Sequence, residues 1–257
     1  MNRSRPVHPP RHPLRFALLV MLTLEGVLLT CLTAAKLLLP HVPLAALDLP
    51  VLLVNAVVAA VLLTRRRWWA AAGFTRTASS RDLLLTLPVL ALLVVPTALL
   101  GVTAPPMGRA LTLGVVTLLI AFQEEAIFRG ALLYALSPLG RRGAVLGSAL
   151  LFGVIHLNSL LVGRDPAFVA AQVAASILGG IGLAALRLRL GTIWPLIVLH
   201  ALNDFAQFSA AGDTVVAHAT PTLLATKLGV SALLALYGIA LLRHPRHLET
   251  PAEGHHA

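Results

Sequence analysis

Long apolar blocks, broken by short clusters of Pro, Gly and Arg, organise this chain. Eight blocks reach the length of a membrane-crossing helix: 16–39, 44–63, 83–102, 110–136, 143–162, 167–186, 192–211 and 222–242. A helix of about 20 mostly apolar residues covers the roughly 30 Å of a bilayer's hydrocarbon. Turn and charge signals separate the blocks, among them Pro105-Pro106, Gly140-Arg141-Arg142 and Arg164-Asp165-Pro166. Pro88 and Pro96 fall inside a block, where they predict kinks and leave the span intact. The expected fold is all-α, a polytopic bundle of about eight transmembrane helices. Its parts are a tail at 1–15, a membrane domain at 16–242 and a second tail at 243–257, with no internal repeat.

Composition supports that reading. The 257 residues are 58% hydrophobic and only 12% charged, with a mean hydropathy of +0.86. One soluble core of this size could not hide so much apolar surface, so a water-soluble enzyme or DNA-binding module is excluded. The excess of 20 Lys+Arg over 10 Asp+Glu would suggest nucleic acid in a soluble chain. In a membrane protein it marks cytoplasmic loops instead, so no nucleic-acid partner is expected. With the N-terminus inside, fifteen arginines fall in inside segments and two, Arg109 and Arg164, in outside loops. That asymmetry predicts both termini in the cytoplasm.

The basic leader and first apolar block resemble a signal peptide, but the block is long and carries Glu25, so it reads as a retained anchor. Ala-, Leu- and Arg-heavy usage points to a high-GC bacterium and hence to its cytoplasmic (inner) membrane. Trp68 and Trp69, after Arg65-Arg66-Arg67, read as interfacial anchors. Cys31 is the only cysteine and excludes an internal disulfide and a multi-cysteine zinc site. Six of the ten histidines lie in the tails, where no fixed ligand geometry is implied.

Polar groups inside the blocks are costly, about 2.5–3.5 kcal/mol for a charge at mid-span. Lys36 and Lys227 stand where their stems can snorkel. Glu25 and Asp48 either line a cavity or pair with a neighbouring helix. The run Phe122-Gln123-Glu124-Glu125-Ala126-Ile127-Phe128-Arg129 places three charges in one span. Glu125 and Arg129 are four apart with the acid first, the better order for a pair. Glu124 is rotated about 100° from Glu125 and is left without such a partner. His156 follows Phe152 by four, and His200 precedes Asp204 by four. At 1.5 Å per residue, Glu124, His156 and His200 lie roughly 18, 20 and 12 Å from the cytoplasmic ends of their spans. One layer of the membrane can therefore hold all three.

Glu124-Glu125-x-x-x-Arg129, Phe152-x-x-x-His156 and His200-x-x-x-Asp204, in that order on three spans, resemble the CPBP intramembrane proteases. These comprise the CAAX prenyl endopeptidases and the bacterial Abi or bacteriocin-processing proteins. Gly191-Thr192-Ile193-Trp194-Pro195 also looks familial, and the protease core would span about 110–211.

The resemblance implies an intramembrane endopeptidase acting on a membrane-associated protein or peptide. Glu124 and His156 would activate the attacking water. Glu125 and Arg129 would shape the site, and His200 with residue 204 would support the oxyanion. Position 204 departs from the prenyl-endopeptidase branch, which has asparagine there. Asp204 must then be protonated, orient His200 or stand near a metal. Asn203 lies about 100° off that face.

Metal dependence stays open. Glu, His and His can make a catalytic zinc set, but no HExxH pair occurs, and a metal-free Glu/His activation of water is favoured. The rival functions are a proton-coupled transporter or channel and a catalytically silent scaffold of the same fold. Small-residue spacings at Gly143/Gly147, Ala175/Gly179 and Ser176/Gly180 predict close helix packing beside the site.

Overall fold

A computed structural model describes residues 7–39, 41, 48–99, 105–210 and 220–243. Among them every regular element is helical, and eight helical segments follow the eight apolar blocks. They are α1 (Pro13–Leu38), α2 (Asp48–Arg66), α3 (80–99), α4 (Met107–Ala135), α5 (Gly140–Ile155), α6 (Pro166–Leu190), α7 (Trp194–Ala210) and α8 (Pro221–Arg243). Six are long and apolar enough to cross a membrane, α5 being counted with its flanking 3-10 turns as Ser137–Leu161; α3 and α7 are the two that are not among them. The protein is a polytopic helical membrane bundle. Large apolar side chains such as Leu19, Leu22, Leu38, Leu111 and Leu236 stand exposed on its outside, as a lipid-facing shell requires. The end of the third predicted span and the connection around 211–219 lie outside the described residues, as does the Asp48 side chain.

Local sequence explains the breaks. Pro88 has no N–H to return to Leu84, and the chain passes through a 3-10 turn at Leu84–Thr86 just before it. Asp165 caps α6 by accepting from the Phe168 N–H at 2.8 Å, with Pro166 in the first turn. Gly191, in the left-handed region at φ 73°, ends the same helix.

Two expectations are corrected at the face where α2 and α6 end. Trp68 is not an interfacial anchor, because only 2% of it is exposed. Its ring meets Phe16 and Tyr134 edge-on, at 5.3 and 5.1 Å, which joins the start of α1 to the end of α4. Arg187 is not a loop charge. The α6 helix runs on past the predicted end at 186, and Arg187 is 6% exposed within it. Its guanidinium donates to the Ala71 and Ala72 carbonyls, both at 3.2 Å. Ile193 N–H donates to Gly73 O and Trp194 Nε1 to Phe74 O. The loop after α2 is thereby clamped to the start of α7, the helix that carries His200. At the other terminus, Tyr134 donates to Val7 O at 2.8 Å, so the described part of the N-terminal tail is tied to α4.

The predicted small-residue contacts hold only in part. Gly180 packs on Ala149 of α5, where an added Cβ would stand 3.1 Å from the Ala149 methyl. Gly147 faces the Leu136 side chain, and Gly179 has only ordinary contacts. A close backbone crossing that the spacing did not reveal sets Gly182 of α6 against Gly238 of α8. A Cβ on Gly182 would lie 2.6 Å from Leu234 O, and one on Gly238 would lie 2.7 Å from Gly182 Cα. Both clashes are with backbone, which cannot swing away. Gly182→Leu is therefore expected to lower the melting temperature of the purified protein in detergent far more than Gly179→Leu. Equal melting of the two variants would count against this crossing.

Candidate active site

The site begins at an irregularity in α4. Residues Glu125–Leu132 form a π-helix, a widened turn that helices use chiefly at functional positions. The expected uniform α-helix is corrected here. Ser148 of α5 supports the wide turn by donating to the Phe128 carbonyl at 2.6 Å. Sequence reasoning missed Ser148; the one signal was a hydroxyl within an apolar run.

Glu125 is fully buried and Arg129 is 1% exposed. Arg129 donates to Glu125 Oε1 at 3.0 Å, so the two form a pair across one turn of the helix. The guanidinium also lies over the Phe152 ring, 3.9 Å from its centroid, which spreads the buried charge onto a π face. His200, on α7, brings Nδ1 to 2.8 Å from the same Glu125 oxygen. Since Glu125 offers the oxygen, Nδ1 carries the hydrogen and donates. The ring is thus held with Nε2 turned the other way.

That Nε2 atom faces two carboxylates. Glu124 Oε2 is 3.5 Å away and Asp204 Oδ2 is 3.4 Å away. Glu124 is therefore not the partnerless carboxylate its spacing suggested: a neighbouring helix supplies an imidazole. Asn203, expected to point off this face, donates its amide to Asp204 Oδ1 at 3.3 Å. Rotation along one helix could not show this, because a side chain two bonds long can reach round to its neighbour.

His156 ends the α-helical part of α5, where the backbone turns into a 3-10 helix at His156–Val162. Its Nδ1 donates to the Phe152 carbonyl at 2.7 Å, leaving Nε2 as the ring nitrogen without a hydrogen. His156 makes no direct bond to Glu124 or His200. Phe152 meets both imidazoles, edge-on to His156 at 4.9 Å and to His200 at 6.3 Å. The sequence marked Phe152 by position alone; its part as the wall joining Arg129 and both histidines needed the fold.

Glu124 also lines a half-open cavity between α1, α2, α4 and α5. Its walls include Glu25, Asn55, Gln123, Ile127, Phe128 and Asn158. Glu25, left between two readings by the sequence, is thereby placed on a cavity. Among the described residues no three His, Cys, Asp or Glu side chains form a set able to hold an ion.

Residues 106–206 match the family model described as type II CAAX prenyl endopeptidase, Rce1-like. This segment is similar to the CPBP family. It spans all of the positions just described on α4, α5 and α7, and the family is one of CAAX-type intramembrane proteases. The matched segment thus covers the catalytic candidates but neither α1 nor α2, whose residues line the cavity. No curated protein and no solved structure shows a significant match to the chain.

Proposed function

We propose that this protein is an intramembrane endopeptidase that hydrolyses a peptide bond of a membrane-associated protein or peptide with water activated by Glu124 and His156. The observation that carries the reading is the meeting of Glu124, Glu125, His200 and Asp204 around one buried imidazole, beside a cavity that Glu124 itself lines. Titratable groups gathered at one depth suit a chemical site; a proton or ion path would string them along the membrane normal.

Glu124 takes a proton from water as its oxygen attacks the scissile carbonyl carbon, and returns that proton to the leaving amine. His156 accepts a hydrogen bond at Nε2 from the water's second O–H, which stays intact, and so fixes the water's position. His200, aligned through Nδ1 by Glu125, and Asp204 in its protonated form donate to the oxyanion. No step requires a metal. The membrane is read as a bacterial cytoplasmic membrane, with both termini on its cytoplasmic side.

The test is a cleavage assay on the purified protein in lipid vesicles with hydrophobic peptides, with and without a chelator. Cleavage unaffected by the chelator supports the reading. Absence of cleavage accompanied by proton flux across the vesicle wall would replace it with a transporter. In the same assay Asp204→Asn is expected to keep or raise turnover, since an amide donates without needing a proton. A loss of about tenfold or more with intact folding would show that position 204 must be negative to orient His200.

A further inference from the structure

The cavity beside Glu124 has a second acidic wall that the catalytic reading does not use. Glu25 enters it from α1, and no described residue forms a hydrogen bond or ion pair with Glu25. Two amide oxygens at the same cavity, Asn55 Oδ1 from α2 and Gln123 Oε1 from α4, are buried and accept no hydrogen bond. The lining contains two carboxylates and no Lys, Arg or His.

These groups lie at one level. The start of α1, the end of α2 and the end of α4 share a face, since Phe16, Trp68 and Tyr134 stack there. Counting along each helix puts Glu25 about 18 Å, Asn55 about 17 Å and Glu124 about 17 Å from that face. An unpaired carboxylate so deep in hydrocarbon marks a site whose partner arrives from outside the chain. A carboxylate without a partner, at a space lined by no cation, calls for a ligand that brings positive charge.

We propose that Glu25, with the Asn55 and Gln123 side-chain oxygens, forms a specificity subsite for a basic side chain of the substrate. A lysine or arginine carried into the membrane by an otherwise apolar peptide would be paired there, next to the Glu124 end of the cavity. Glu25 is a specificity residue and takes no part in bond cleavage. Because α1 and α2 lie outside the family-matched segment, the preference belongs to this chain's own elaboration of that segment. The assignment rests on the protease reading for its substrate, but its test does not.

The test measures binding, apart from turnover. A fluorescent Leu/Ala peptide that spans the bilayer carries one central lysine; its counterpart carries norleucine, the same stem without the charge. Both are titrated against the full-length protein in phosphatidylcholine vesicles. The lysine peptide is expected to bind about tenfold more tightly, a difference near 1.4 kcal/mol. Glu25→Gln should abolish the difference while leaving norleucine-peptide binding and the melting temperature unchanged, and Glu25→Asp should restore part of it. Asn55→Leu should reduce the preference independently. Equal binding of the two peptides by the native protein, or a preference that survives Glu25→Gln, overturns the subsite. A lysine preference without any cleavage upholds the subsite and counts against the protease. Cleavage without the preference does the reverse.

Discussion

Glu124→Gln is expected to lower kcat for peptide cleavage by about 10²–10⁴-fold, the range that removal of a general base gives. The same variant should insert, fold and bind substrate as the native protein does. The reason is geometric. The nearest ionic neighbour of Glu124 is His200 Nε2 at 3.5 Å, too distant for a strong hydrogen bond, while His200 is anchored separately by Glu125 at 2.8 Å. Glu124 thus contributes little to holding the bundle, and its loss should appear in turnover alone. Single-turnover rates on vesicle-embedded peptide, read beside detergent melting, separate the two. Native-like turnover in the variant would remove Glu124 from the proposed chemistry.

The sequence exposed those features that depend on local spacing and on the cost of charge in hydrocarbon. The helical membrane bundle follows from eight apolar blocks, and the Glu125–Arg129 pair from a separation of four on one face. The motif residues also led to the resemblance that the match over residues 106–206 supports. Contacts between helices were another matter. That Glu125 serves two partners, Arg129 and His200, depends on the crossing of α4 and α7, which no single-helix periodicity encodes. Trp68 and Arg187 misled for one reason: the composition of both segments looked interfacial, yet a clamped loop buries them. The π-turn at Glu125–Leu132 was hidden as well, since a register of five and a register of four permit the same short run of residues. Glu25 was visible as an anomaly from the start, but its meaning needed the cavity.

The largest effects on stability are expected from Glu125→Gln and Arg129→Leu. Each strands a buried partner, and breaking a buried pair by removing one member costs about 3–5 kcal/mol. The two losses differ in kind. Arg129→Leu takes the cation from Glu125 and from the face of Phe152, yet leaves His200 as a second partner for the carboxylate. Glu125→Gln leaves Arg129 with no anion and weakens the bond that aims His200, so it should damage turnover beyond what its lower stability explains. Replacing both together removes the uncompensated charge altogether. The double variant should therefore be more stable than the sum of the single losses allows, with a coupling of about 1–3 kcal/mol typical of contacting residues. It should still turn over poorly, because His200 remains without its guide. Denaturant unfolding of the four proteins in one detergent gives the coupling, and cleavage at a temperature where all four are folded gives the second half. Strictly additive stability losses would dissolve the pair, and full activity in the folded double variant would show that His200 is aimed by something other than Glu125.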